Sequence, residues 1–180
     1  MTFQIPKLLH EVLGERQSPL ALLAVAAACV AGIGLWGQHI LISDDIALWR
    51  QVIALILFVD IIAGAVANLT RGTNAFYAVR PLHRWGFIAL HIHLIAFAAL
   101  LDLPLAPYVV IWAYTIGGAI LLNALFARQD QRVLAGVIVV IGWMALPLMV
   151  SDPVGLVASA LFIFKVCYAF AVDHQKAVTG

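Results

Sequence analysis

The chain has 180 residues, of which 64% are hydrophobic and 11% are charged, and its formal net charge is +1. Soluble domains contain roughly 45–50% apolar residues, so this composition indicates an integral membrane protein in contact with the lipid bilayer. The few basic residues form no basic surface, which excludes a nucleic-acid-binding protein.

Residues 1–17 are predicted to form a short cytoplasmic segment on the membrane surface. Ile5, Leu8, Leu9, Val12 and Leu13 recur at helical spacing, and charged or polar residues occupy most of the positions between them. This pattern is typical of an amphipathic helix whose apolar face lies in the membrane interface. A solvated leader without regular structure is the alternative.

Six apolar runs follow, each near the length of about 20 residues that a helix needs to cross the hydrocarbon core. They cover residues 19–42, 46–69, 82–103, 106–127, 133–150 and 153–173. The connections at residues 101–107 and 151–153 are short, which predicts antiparallel hairpins of neighbouring helices. The sequence therefore predicts an all-α polytopic membrane protein. Its single six-helix transmembrane domain covers residues 18–174, and residues 175–180 form a cytoplasmic tail.

Basic residues are distributed unequally between the two sides of this predicted bundle. The side with both termini carries Lys7, Arg16, Arg71, Arg80, Arg84, Arg128, Arg132 and Lys176. Only Arg50 lies near the opposite side, and Lys165 falls inside a span. The positive-inside rule then predicts a multi-pass protein of the inner cell membrane with both termini in the cytoplasm.

Four ionisable side chains lie well inside the predicted spans, namely Asp60, His91, His93 and Lys165. Each is a candidate for function, because a charged group costs roughly 2.5 kcal/mol or more at the bilayer centre. With a rise of about 1.5 Å per residue, Asp60, His93 and Lys165 lie about 15, 16 and 12 Å from the cytoplasmic ends of their helices. We expect Asp60 and Lys165 to pair, directly or through water, because a deeply buried lysine stays charged only beside a carboxylate or in water. A purely structural ion pair between two helices is the alternative.

The two histidines are expected to serve different environments. Residues two apart in a regular helix project about 200° apart, so His91 and His93 bind one metal ion only if the helix is locally unwound. His93 shares its face with Gly86, Ala89 and Ala96, small residues that let helices approach closely, and is the candidate for the bundle interior. His91 is expected to meet another helix or a second protomer.

Polar residues continue from Asp60 to the cytoplasmic end of the second span. Asn68 lies eight residues after Asp60 on the same helical stripe, and the following loop is rich in hydrogen-bonding groups. This pattern predicts a cytoplasmic vestibule that binds an anion or admits protons, with the candidate residues Arg71, Asn74, Tyr77, Arg80 and Arg84. Asn68, Asn123 and Tyr168 are further candidate ligand contacts. Helix capping by Asn68 and Asn74, and contact between helices by Asn123, are the alternatives.

Together these features predict a protein that binds or transports a small solute or ion at the membrane midplane, with Asp60 coupled to protons. Six helices are few for a carrier, which leaves open a homo-oligomer or a membrane-protein partner. The main alternative is an intramembrane enzyme, either lipid-directed or metal-dependent with Asp60 and His93 as ligands. A haem site on His93 is a further alternative. Lys165 beside an intramembrane aspartate also resembles the retinal-binding lysine of microbial rhodopsins, which have seven helices. The sequence identifies no catalytic residue and no cofactor.

Overall fold

The computed structural model describes residues 2–41, 45–126 and 128–175. Within these ranges, six helices are long and apolar enough to cross a membrane: Pro19–Leu41, Leu48–Ala67, Pro81–Leu100, Leu105–Ala124, Gln131–Met149 and Pro153–Phe170. Each helix falls on one of the six predicted runs, so the predicted all-α bundle of six membrane helices is confirmed. Residue 42, residue 127 and most of the predicted tail, including Lys176, lie outside the described residues.

The described residues form the following elements. In chain order they are β1 (Phe3–Gln4), α1 (His10–Leu13), β2 (Arg16–Gln17), α2 (Pro19–Leu41), α3 (Leu48–Ala67), α4 (Arg71–Ala78), α5 (Pro81–Leu90), α6 (His93–Leu100), α7 (Leu105–Ala124), α8 (Gln131–Met149) and α9 (Pro153–Ile163). A 3-10 turn, Lys7–Leu9, precedes α1, and a π-helix, Phe164–Phe170, continues α9. The third span therefore consists of α5 and α6, and the last span consists of α9 and the π-helix.

The N-terminal segment, residues 2–17, contains less helix than its apolar pattern predicted. Its helical part runs only from Lys7 to Leu13, and β1 pairs with β2 in an antiparallel ladder, so the segment folds back on itself. The apolar side chains of Leu8 and Leu9 are 92% and 41% exposed, which leaves them available to the membrane interface.

Gly14 ends α1 and turns the chain so that β2 returns beside β1. Its φ of 70° and ψ of −177° lie in a region that is open almost only to glycine. Gly14 also packs directly on α4, where a Cβ would lie 2.3 Å from the carbonyl carbon of Gly72. A second glycine contact follows, because a Cβ on Gly72 would lie 2.1 Å from the carbonyl oxygen of Arg16. These backbone approaches hold the N-terminal segment against α4.

We expect Gly14→Ala to release the N-terminal segment from α4, because an alanine strains the turn and collides with backbone. Trypsin should then cleave after Lys7 and Arg16 about tenfold faster. This corresponds to a decrease of ~1.4 kcal/mol in the free energy required to open the segment locally. Gly34→Ala is the matched control, since a Cβ there meets no atom within 4 Å. Equal cleavage rates in the two variants would contradict this account of the turn.

The last span forms the centre of the bundle. In its apolar window 61% of the residues are buried, against 11% in α2, which lies at the periphery. The last span packs against α3, α7 and α8, and α2 packs mainly on α3. Helices α2 and α3 approach closely at Gly32, where a Cβ would lie 2.2 Å from Cδ1 of Ile62. Most of α2 is therefore left to contact lipid.

The third span is broken in its middle, which corrects the prediction of a regular helix. Helix α5 ends at Leu90, His91 has φ −81° and ψ 65°, and α6 begins at His93. Side chains satisfy the backbone groups that the break frees. The Nδ1 of His91 donates to the carbonyl oxygen of Phe87 at 2.5 Å, and Nε1 of Trp112 donates to the carbonyl oxygen of His91 at 2.8 Å. Such replacement bonds are what allow irregular backbone inside a membrane.

The last span is also irregular at the same depth, because residues Phe164–Phe170 form a π-helix. π-helical turns are rare and often occur at functional sites, since the wider turn shifts side chains relative to an α-helix. Lys165 is the second residue of this turn. Two irregular backbone segments thus lie near the middle of the bundle, and each carries ionisable side chains.

Candidate functional site

A cavity of about 490 Å³ reaches from the N-terminal segment to the middle of the bundle. It lies between α3 and α5, with Lys165 of the π-helix at its inner wall and α1 across its outer end. The lining residues are Glu11, Val12, Asp60, Gly64, Asn68, Tyr77, Leu82, His83, Gly86, Phe87, Leu90, His91, His93 and Lys165. Asp60, His91, His93 and Lys165, the four ionisable residues singled out from the sequence, therefore all meet at one cavity.

Asp60 and Lys165 form the predicted contact. Nζ of Lys165 donates to Oδ2 of Asp60 at 2.6 Å and also approaches the Asp60 carbonyl oxygen at 3.3 Å. Lys165 is 2% exposed, so its ammonium depends on these oxygens, whereas the Asp60 side chain is 39% exposed toward the cavity. A buried cation beside a half-open carboxylate leaves the other face of that carboxylate accessible to a ligand.

Gly64 makes this contact possible, because it lies one turn after Asp60 on the same face of α3. A Cβ on Gly64 would lie 2.2 Å from Cε and 2.9 Å from Nζ of Lys165. The lysine side chain therefore crosses the surface of α3 in the space left by the missing side chain. The lysine that fills this space comes from the last span, about 100 residues later in the sequence.

His93 also approaches the Asp60 carboxylate. Its Nδ1 lies 3.5 Å from Oδ2 of Asp60, the same oxygen that Lys165 contacts. One carboxylate oxygen thus faces two basic groups, and its protonation changes the environment of both. In the described part of the chain, no group of three or more His, Cys, Asp or Glu side chains is arranged to hold a metal ion.

His91 faces the same cavity as His93, which corrects the expectation that the two occupy different faces. The break after Leu90 turns the chain, so the two rings meet edge to face with centroids 4.9 Å apart. The His91 ring also stacks on Phe87 at a centroid distance of 3.7 Å, and Phe87 stacks on Phe170 at 3.6 Å. Helical geometry failed here because the helix is unwound at the two residues in question.

The bond that breaks the helix also determines the chemistry of the His91 ring. A carbonyl oxygen only accepts, so Nδ1 carries the proton in the bond to Phe87 and Nε2 of the neutral ring is an acceptor. His91 is 5% exposed, and its Nε2 is buried without a hydrogen-bond partner in the part of the chain that the structure describes. The cavity therefore contains a buried acceptor that requires a donor.

The N-terminal segment and α4 form the outer end of the cavity. The Tyr77 hydroxyl donates to the Glu11 carbonyl oxygen at 2.8 Å, and the Thr73 hydroxyl donates to the Val12 carbonyl oxygen at 3.2 Å. Burial raises the pKa of the Tyr77 phenol, so Tyr77 remains a hydrogen-bond donor over the physiological pH range. The sequence did not indicate that Glu11 and Val12 belong to the cavity, because their position depends on the turn at Gly14.

The remaining predicted site residues lie elsewhere. Arg84 is 3% exposed and donates to Oδ1 of Asn123 at 2.6 Å and to the Ala171 carbonyl oxygen at 2.9 Å. Asn74 donates to the Val172 carbonyl oxygen at 3.0 Å. These bonds satisfy the carbonyl groups at the end of the last span, as expected of residues that fasten a helix terminus.

The other members of the predicted vestibule are also separated. Arg80 forms an ion pair with Glu15 of the N-terminal segment at 2.5 Å, and Arg71 is an exposed residue at the start of α4. The Tyr168 ring stacks on Phe164 at a centroid distance of 5.5 Å. Of the predicted vestibule residues, Tyr77 is the one that lines the cavity.

Comparison of this chain with protein-family models, with curated proteins and with solved structures finds no match in any of the three.

Proposed function

We propose that this membrane protein binds a small solute or ion in the cavity between α3 and α5 and transports it, with Asp60 as the carboxylate that couples transport to protons. The observation that carries this proposal is the position of Asp60. Its Oδ2 lies 2.6 Å from Nζ of Lys165 and 3.5 Å from Nδ1 of His93, and its side chain is open to the cavity.

Broken helices at mid-membrane support a transport role. In many transporters, the substrate and ion sites lie near the midplane and are formed where spanning helices are discontinuous. Here the third span is broken at His91, and the last span becomes π-helical before Lys165. Both irregular segments contribute residues to the same cavity, and such irregularities supply the bends that a change in access requires.

Proton coupling follows from competition for one carboxylate. When Asp60 binds a proton, Lys165 loses its charged partner while remaining 2% exposed, which is unfavourable unless its own charge is lost or a ligand replaces the carboxylate. His93, whose Nδ1 lies 3.5 Å from the same oxygen, provides a second basic group whose charge depends on the protonation of Asp60. Loading of the cavity is thereby linked to protonation of the Asp60 cluster.

The orientation in the membrane is part of the proposal. The N-terminal segment and the loops after the second and fourth spans carry most of the basic residues, so we place this side in the cytoplasm and the protein in the inner membrane. The cavity then reaches the midplane from the cytoplasmic side. A second state, with the cavity open to the other side, completes the transport cycle.

Uptake by purified protein in liposomes tests this proposal. The liposomes carry an inward proton gradient and are supplied with a defined mixture of amines, alcohols, amino acids, sugars and metal cations of graded size, and accumulation is measured by mass spectrometry. We expect at least one compound to accumulate, and Asp60→Asn to reduce its uptake about tenfold or more, equivalent to ~1.4 kcal/mol.

Asp102→Asn is the matched control for uptake. Asp102 forms an exposed ion pair with Arg50 at 2.5 Å, away from the cavity, so its replacement should leave uptake unchanged. No accumulation above empty liposomes, or equal uptake by Asp60→Asn and the wild-type protein, would contradict the proposal.

A further inference from the structure

We infer that the small solute bound in the cavity is an amphiphile that enters from the bilayer between α3 and α5, with a hydroxyl or amine head group that donates a hydrogen bond to Nε2 of His91. This inference rests on the proposed function, because it names the class of compound that the same cavity takes.

The head-group chemistry follows from the groups that the protein leaves unused. Lys165 and Asp60 offset each other in charge at 2.6 Å, so a ligand needs no full charge to enter. Among the described residues, the buried acceptor Nε2 of His91 has no hydrogen-bond partner, and leaving such a group unpaired is unfavourable. An O–H or N–H group on the ligand supplies the missing donor.

The direction of access follows from the wall that α5 contributes. Leu90 lines the cavity and is nevertheless 73% exposed, although it lies in the middle of the third span. Leu82, two turns earlier on α5, also lines the cavity and is 82% exposed. An exposed side chain at that depth contacts lipid, so the cavity is continuous with the hydrocarbon region along this wall.

The lateral wall is apolar except for the exposed His83, whereas the inner wall is polar. Leu82, Phe87 and Leu90 line the α5 side, and a Cβ on Gly86 would meet no atom within 4 Å, which leaves room for a chain between them. Asp60, His91 and His93 lie at the inner end. This gradient from lipid-exposed leucines to buried polar groups matches a molecule with an alkyl chain and a polar head.

A water-soluble compound that enters from the other end of the cavity must pass the N-terminal segment. The N-terminal segment lies across that end, and its Glu11 and Val12 carbonyl oxygens are bonded to the hydroxyls of Tyr77 and Thr73. Entry through lipid requires no rupture of these bonds. An amphiphile already concentrated in the bilayer therefore reaches the inner end of the cavity, in whose wall His91 lies, without passing the N-terminal segment.

Photolabelling in lipid nanodiscs tests this inference. The probe is a long-chain primary alcohol with a diazirine next to its hydroxyl end, and labelled sites are located by mass spectrometry. We expect labelling concentrated in residues 81–100 and suppressed by an excess of unlabelled long-chain alcohol. Leu90→Trp, which fills the opening, should reduce this labelling about tenfold, equivalent to 1.4 kcal/mol of binding free energy.

Leu148→Trp is the matched control, because Leu148 is 87% exposed on α8 and does not line the cavity. Labelling spread evenly over all spans, or equal labelling of Leu90→Trp and Leu148→Trp, would overturn the inference. Equal competition by a short water-soluble alcohol would also overturn it, while leaving the proposed function intact. Failure of the proposed function itself is detected separately, as unchanged uptake by Asp60→Asn in liposomes.

Discussion

Replacement of Asp60 by asparagine is expected to lower the free energy of unfolding by about 3 kcal/mol, because it leaves the buried Lys165 ammonium without a carboxylate. Lys165 is 2% exposed, and its Nζ lies 2.6 Å from Oδ2 of Asp60. Deprotonation of the lysine relieves part of the loss but carries its own free-energy cost. Unfolding in mixed micelles, followed by tryptophan fluorescence, measures the change.

Replacement of the other partner, Lys165→Met, should lower the free energy of unfolding much less. Methionine fills a similar volume with an apolar chain, and the Asp60 carboxylate that remains is 39% exposed to the cavity, so we expect a loss of about 1 kcal/mol or less. The double variant should resemble Lys165→Met alone, because no buried cation is then left unpaired. Equal losses in the two single variants would contradict this asymmetric view of the pair.

Replacement of Gly64 by alanine is expected to destabilise the protein by about 1–3 kcal/mol, although alanine is the better helix former. The added Cβ would lie 2.2 Å from Cε of Lys165, so the lysine side chain must move. The end of a lysine chain is normally free to do so. Here its Nζ is held by Asp60, and the movement lengthens that contact. The change in free energy of unfolding measures the effect.

Gly86→Ala is the matched control for Gly64→Ala. Both glycines lie in spanning helices and line the cavity, but a Cβ on Gly86 meets no atom within 4 Å. Its replacement should stabilise the protein by up to about 1 kcal/mol through helix propensity. The two variants are thus expected to change stability in opposite directions. A stabilising effect of Gly64→Ala would show that the lysine is not held as described.

The spans and the level of the ionisable residues were predictable because the bilayer imposes strict requirements. A spanning helix needs about 20 apolar residues, and a charge inside it needs a partner, which together limit where Asp60 and Lys165 lie. Two opposite charges at similar depth on different helices then predict a contact. The 2.6 Å distance between Nζ and Oδ2 agrees with that prediction.

The break in the third span was not predictable from periodicity. No proline or glycine marks it, since residues 87–97 read as a continuous apolar helix with two histidines. Its cause is tertiary, because the Trp112 side chain comes from another span to bond the His91 carbonyl oxygen. The two histidines therefore line one cavity, although side chains two residues apart in a regular helix point in nearly opposite directions.

The N-terminal segment shows a similar limit. Its apolar spacing correctly indicated helical turns, but the backbone reversal depends on one glycine with positive φ and on its close contact with Gly72. Residues 58 positions apart in the sequence thus determine each other's conformation. Arg80 and Arg84 likewise contact groups far away in the sequence, Glu15 and Asn123. They therefore do not form the single vestibule that the sequence predicted.

A high-resolution density map of the protein purified with its native lipids would show directly whether the cavity holds a ligand. The cavity is proposed as a ligand site built on Asp60 and the His91 acceptor. We predict non-protein density within hydrogen-bonding distance of Nε2 of His91 that extends past Leu90 toward the bilayer. A map in which the cavity is collapsed, with Asp60 and Nε2 of His91 bonded only to groups of the protein itself, would contradict the account.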